Sequence, residues 1–210
     1  MVSVDLERPL SVVTPTLDGD VLARLALVDE SFTPGQLQRL LPMASVDGIR
    51  RVLNRLAGQG VVDATPAGAV ATMYRLNREH VAADAIIQLA NLWSSVLAKI
   101  EFHLSSWQEP PSYAAVFGSW ARREARSTSD LDLFLVRPDA VPDRLWEAQV
   151  GDVEHHVTRW TGNDARTLVL LESVVREHPG DPVLASIVRD GVTVAGEATW
   201  LRSVVRGTAR

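Results

Sequence analysis

Apolar residues in the first third of the chain recur at helical spacing. Val21, Leu22, Leu25 and Ala26 mark one face of a helix over about residues 17–28. Thr33-Pro34 reads as an N-cap followed by proline at the first helical position, with Leu37, Leu40 and Leu41 behind it and Pro42 as its stop. Ser45 opens a third helix that presents Val46, Ile49, Leu53 and Leu56, and Gly58 and Gly60 end it. Val61-Val62, a turn around residues 65–68 and an apolar-rich run to Leu76 predict a two-stranded hairpin. Val81, Ala85, Ile86, Leu89, Trp93, Val96, Leu97 and Ile100 then keep a helical period through residues 78–104, which predicts one long helix. Pro110-Pro111 breaks any helix, so residues 105–112 read as a linker and carry the expected domain boundary.

Beyond the linker the pattern alternates. Strands are expected over residues 113–117, 131–136, 166–170 and 192–194. Helices are expected over 120–126, 142–160, 172–178 and 182–189, and at the end of the chain. The organisation expected is therefore α+β: a helical unit with a hairpin over 16–78, a connecting helix over 79–104, the linker over 105–112, and a small mixed sheet with helices over 113–210.

Composition narrows this picture. The 210 residues, 46% apolar, suit one large domain or two small ones with ordinary cores. No apolar stretch is long enough to span a membrane, and residues 1–9 lack a basic region followed by an apolar core, so neither a transmembrane helix nor a signal peptide is expected. Cysteine is absent, which removes disulfides and thiolate metal sites and fits a cytoplasmic protein.

Net charge of −5 invites no nucleic acid globally, but its distribution is uneven. Residues 36–79 hold six arginines (39, 50, 51, 55, 75, 78) against Asp47, Asp63 and Glu79, for +3, which leaves −8 for the rest. Arg50, Arg51, Asn54 and Arg55 lie off the apolar stripe of the third helix. Helix, helix, helix, hairpin with such a basic face resembles the winged helix-turn-helix of MarR- and ArsR-like regulators, over about sixty residues. The likeness rests on residues 48–62 as recognition helix and first wing strand and residues 74–80 as the second wing strand and exit. It implies that those four residues face the major groove of double-stranded DNA and its phosphates, with a homodimer as the arrangement that would pair two half-sites. A winged helix that makes protein contacts instead is the other reading.

The densest chemistry lies in residues 116–136. An apolar run leads into Gly118-Ser119, and a second apolar run carries Asp130 and Asp132. Two carboxylates two residues apart on a strand point to one face and can hold Mg²⁺, while a Gly-Ser turn at a strand end can hold phosphate oxygens. Gly118, Ser119, Ala121, Arg122, Ser129, Asp130 and Asp132 together resemble the signature of the DNA-polymerase-beta-like nucleotidyltransferases, of the minimal and kanamycin type; only Arg123 departs, standing where the family has glycine. The resemblance implies a nucleoside triphosphate and Mg²⁺ as ligands, with Asp130 and Asp132 on the metal. It implies the amides of Gly118 and Ser119 and the Ser119 hydroxyl on the phosphates, and Ser129 at the strand entry. Arg122 either touches phosphate or pairs with Glu124.

Family members carry a third carboxylate on the next strand. The aligned position is near Arg166, which is not an acid, and Asp164 is the better substitute while Glu172 is farther away. Trp120 at the variable signature position reads as base-stacking or as core. His155-His156 point in different directions, so one metal site made by both is not expected. Three functions are compatible with these residues: transfer of a nucleoside monophosphate to an acceptor, nucleotide sensing without turnover in a transcriptional regulator, and a protein-binding role in a toxin–antitoxin pair.

Overall fold

The computed structural model describes residues 4–68 and 71–207. It divides into two compact units, residues 8–92 and residues 93–207 together with residues 4–7.

The first unit comprises a 3-10 turn (Pro9–Val12), α1 (Leu17–Leu27), α2 (Pro34–Leu40), α3 (Val46–Gly58), the strands β1 (Val62–Ala67) and β2 (Ala71–Leu76), and α4 (Ala83–Ala90). Local chemistry sets the helix starts. The Thr33 hydroxyl accepts from the Gln36 N–H while the Gln36 side chain accepts from the Thr33 N–H, and Ser45 Oγ accepts from the Gly48 N–H at 3.1 Å. The apolar stripes meet in one core of Val21, Leu25, Leu37, Ile49, Leu53, Val62 and Tyr74, all buried. β1 and β2 pair antiparallel, with Val62 opposite Leu76 and Ala67 opposite Ala71. The turn expected at 65–68 therefore starts later: Thr65 and Pro66 are strand residues, Gly68 has φ 73°, and residues 69 and 70 lie outside the described residues.

The long helix expected over 78–104 is two helices, α4 and α5 (Leu92–Ser105). The interruption is Asn91. Its backbone N–H still reaches the Ile87 and Gln88 carbonyls, and its amide Nδ2 donates to Ile87 O at 2.8 Å, closing the turn on itself. The period of apolar positions runs straight through this break, which is why the pattern does not reveal it.

The second unit holds α5, β3 (Tyr113–Phe117), α6 (Gly118–Ala121), β4 (Leu131–Arg137), α7 (Asp143–Thr161), β5 (Ala165–Leu171), α8 (Glu172–Glu177), α9 (Pro182–Asp190), β6 (Val192–Ala195) and α10 (Ala198–Arg206). Its sheet is mixed, in the order β5-β4-β3-β6. β3 runs antiparallel to both β4 and β6, and β4 runs parallel to β5 through the α7 crossover. On one face Tyr113, Ala115, Phe134 and Val136 pack with Val175, Leu184, Ile187 and Leu201 from α8, α9 and α10. The stretch 105–112 is part of this unit: Trp107 is buried against Trp146, ring centroids 5.4 Å apart, and the Ser112 N–H donates to Val136 O. The division between units falls at Leu92/Trp93, ahead of Pro110-Pro111.

Residues 4–7 complete the second unit. The Val4 N–H donates to Asn163 Oδ1 and to Thr161 O, and the Leu6 N–H to Ala125 O. Among the described residues no helix is long and apolar enough to cross a membrane.

Candidate functional site

The sheet places the signature residues at one end of β3 and β4. Phe117, the last residue of β3, is paired with Asp132, so Gly118 emerges directly beside the Asp132 carboxylate. Gly118 has φ 70°, in the left-handed region. A Cβ built there would collide with Asp132 Oδ2. The position thus needs glycine twice over, for its backbone angle and for the space its missing side chain leaves to a carboxylate.

Asp132 and Asp130 share a face. Burial pushes the Asp132 carboxyl above its ordinary range, the neighbouring Asp130 charge pushes the same way, and Arg166 opposes both. The charged form of Asp132 is thus disfavoured where it stands, and a cation bound there would relieve that cost. Two carboxylate residues, with water and phosphate oxygens completing the shell, are the usual protein share of a Mg²⁺ site. The residues present fit a hard divalent cation.

The neighbouring strand brings an arginine. Asp132 is paired with Arg166 across β4 and β5, and the Arg166 guanidinium lies 3.0 Å from Asp130 Oδ2. Asp164 stands before the start of β5, exposed, with its carbonyl accepting from the Leu131 N–H. Among the described residues Asp130, Asp132 and Asp164 do not form a cluster of ligand atoms within 4.8 Å. Glu172 is at the far end of β5 and is held by the Ser112 hydroxyl at 2.6 Å and by Arg176. The place next to Asp132 on the adjacent strand is thus filled by Arg166, and neither acid considered as a substitute reaches the pair.

Arg122 and Ser129 have partners within this unit. Arg122 pairs with Glu124 at 2.9 Å. Ser129 Oγ accepts from the Arg126 N–H at 3.0 Å and closes the loop that delivers Asp130. Trp120 is buried, and its carbonyl accepts from Trp93 Nε1; it packs and does not offer a stacking surface. Arg123, where the resembling family has glycine, adopts φ 59°, and its guanidinium sits over the Trp93 ring 4.1 Å from the centroid. The cation–π contact offsets part of the cost of a left-handed arginine.

One organiser has no signal in the sequence. Asn163 is buried, and its Nδ2 donates to Ser129 O at 2.8 Å and to Arg126 O at 3.2 Å while its Oδ1 accepts from Val4. Gly162, with φ 73°, caps the end of α7 in the left-handed conformation. That the following amide braces the 126–129 loop depends on partners 34–37 residues upstream in the chain.

In the first unit, Arg50, Arg51, Asn54 and Arg55 lie on the exposed side of α3. Three of them already have partners: Arg50 pairs with Asp47, Arg55 with Asp18, and Asn54 Oδ1 accepts from the Tyr74 hydroxyl at 2.8 Å. The Arg50–Asp47 pair is exposed on both sides, and such a pair is worth about 0–1 kcal/mol. Arg50, Asn54 and Tyr74 line a cavity of about 390 Å³ with Thr33 and Thr72.

Comparison with known proteins finds no matching family model and no matching curated protein. Solved structures with partial similarity include a toxin–antitoxin with AMP-PNP (17% identity, TM-score 0.40, covering 54% of this chain and 83% of that one). A mutant of the toxin–antitoxin MntA–HpeT (15%, TM-score 0.39) has the same coverage. A third is the tri-AMPylated Shewanella oneidensis HEPN toxin in complex with MNT antitoxin (15%, TM-score 0.37, covering 56% and 83%). At these scores the likeness carries no argument about function, which has to come from the site.

Proposed function

We propose that the second unit binds a nucleoside triphosphate with Mg²⁺ and transfers its nucleoside monophosphate to an acceptor hydroxyl, while the first unit is a winged helix that docks on double-stranded DNA. The observation that carries the reading is the close packing of left-handed Gly118 on the Asp132 carboxylate beside Asp130. It brings the start of a phosphate-binding turn against a carboxylate pair. In the transfer, the acceptor oxygen bonds to the α-phosphorus, the α–β P–O bond breaks with its electron pair on pyrophosphate, and the hydroxyl proton leaves to solvent. Bound Mg²⁺ would supply charge neutralisation and Lewis-acid polarisation of the phosphates. Asp130 and Asp132 would hold it, and the Gly118 and Ser119 amides would orient the phosphate tail.

A second reading, nucleotide binding without turnover in a DNA-bound regulator, is favoured by Arg166. It occupies the strand position where the resembling family has its third acid, and it pairs with Asp130. One experiment separates the two. The full chain is incubated with Mg²⁺ and α-labelled nucleoside triphosphates, alone and with protein, small-molecule and nucleic-acid acceptors. Label transferred by the wild type and lost in Asp130→Asn and Asp132→Asn supports transfer. Saturable Mg²⁺-dependent binding without transferred label supports the sensor. Absence of nucleotide binding overturns both.

A further inference from the structure

A second cluster lies on the α5–α7 side of the same unit, built from residues the proposed reaction does not use. Asp152 and His156 are one turn apart on α7 and so share a face, and His103 reaches them from α5. One nitrogen from each imidazole and one carboxylate oxygen lie within 4.8 Å of one another. His103 Nε2 is 3.0 Å from Asp152 Oδ2, and the two imidazole centroids are 4.9 Å apart.

Two details point to a ligand beyond the three side chains. His103 Nε2 is buried and turned on the Asp152 carboxylate at 3.0 Å, so its ring nitrogen already faces the shared centre of the cluster. His156 Nδ1 lies 2.9 Å from the Asp152 carbonyl oxygen. Donation there leaves Nε2 as the lone-pair nitrogen, the arrangement that orients a metal-bound histidine.

We propose that His103, Asp152 and His156 form a binding site for a borderline transition cation of the Zn²⁺ type. Two imidazoles and one carboxylate suit such an ion and disfavour Mg²⁺ and Ca²⁺, which take all-oxygen shells. Metal–ligand bonds of about 2.0–2.2 Å in a tetrahedron put ligand atoms roughly 3.4 Å apart. The three ligand atoms now lie within 4.8 Å of one another, so binding would draw the wider of these spacings in. Asp152 is exposed, so water or an external ligand can complete the shell. The ion fastens α5 to α7, the helix that links β4 to β5, and so braces the strands that hold Asp130 and Arg166.

The test is titration of the full chain with Zn²⁺ in excess Mg²⁺, followed by calorimetry, and with Co²⁺, followed by its visible absorption. One Zn²⁺ per chain is expected, with the strong Co²⁺ bands of a four-coordinate site. His103→Gln and Asp152→Asn each weaken Zn²⁺ binding by more than about 100-fold, beyond the usual cost of losing an outer-shell partner. His155→Gln, at the exposed neighbouring histidine, leaves it unchanged. Should His103→Gln fail to fold, Asp152→Asn decides, because Asp152 is exposed. Absence of Zn²⁺ binding, binding insensitive to Asp152→Asn, or equal loss in His155→Gln overturns the proposal. Because the readout is cation binding away from Asp130 and Asp132, it stands or falls independently of nucleotide transfer.

Discussion

Gly118→Ala is the most informative single substitution, because it introduces one methyl group at the point where backbone and carboxylate meet. The left-handed φ of 70° costs a non-glycine residue about 1–2 kcal/mol. The new Cβ also enters the space of Asp132 Oδ2, so the carboxylate has to rotate away from its place beside Asp130. For a chain of this size each kcal/mol corresponds to about 2–4 °C in Tm, so the unit should melt about 2–8 °C lower. Mg²⁺-dependent nucleotide binding should weaken by at least about tenfold, since Mg²⁺ tolerates little departure from its ligand geometry. Gly151→Ala is the internal control. It lies inside α7 with open space around its Cβ, and alanine there should stabilise by about 0.5–1 kcal/mol. Thermal melts followed by circular dichroism and calorimetric titration with Mg²⁺ and a non-hydrolysable triphosphate measure both effects. If Gly118→Ala melts and binds like the wild type, the account of this turn is wrong. If it melts early but binds normally, the glycine is structural and the proposed site lies elsewhere.

Asp132→Asn should abolish Mg²⁺-dependent nucleotide binding and yet raise stability at neutral pH. Burial and Asp130 raise the folded-state pKa of Asp132 above its ordinary 3.8, so the folded chain binds the proton more tightly and stability falls as pH rises through that value. Removing the charge cancels this loss. The advantage of the variant should be full at neutral pH and vanish below about 3.8, as urea unfolding at several pH values would show. Arg51→Ala should weaken DNA binding at all sequences alike and lower the salt dependence of the affinity by about one phosphate contact, read from binding isotherms across salt concentrations; an unchanged slope would remove α3 from the interface. Asn163→Ala should cost about 1–3 kcal/mol, since it leaves Ser129 O without its buried donor, and denaturant melts would detect it.

Local features of the chain were readable where a single element contains the whole signal. Thr33-Pro34 and Ser45 mark helix starts because caps act within four residues, and the run from Leu131 to Val136 reads as a strand because its apolar residues are contiguous. Gly118 and Asp132 stand out by residue type, but their contact comes from the antiparallel register of β3 and β4. The Arg166–Asp130 pair likewise requires the parallel register of β4 with β5, set by a crossover of about thirty residues. The break at Asn91 escaped the pattern because a single side-chain-to-backbone closure interrupts the helix without disturbing its apolar period. Pro110-Pro111 looked like a boundary because prolines end helices, but Trp107 buries the stretch in the second unit. His103, Asp152 and His156 converge across two helices, which no single stretch of sequence signals, while the adjacent pair His155-His156 cannot chelate together.

The docking of residues 4–7 has a consequence for the order in which the protein is made. These residues leave the ribosome well before Asn163, the partner of Val4, which emerges 159 residues later. By then residues 8–92 have had time to fold as a unit of their own. Residues 4–7 meet their partner in the second unit only after that interval, and a contact of such sequence separation is slow to form. Because Asn163 also braces the loop that delivers Asp130, the candidate site shares the side chain on which that late contact closes.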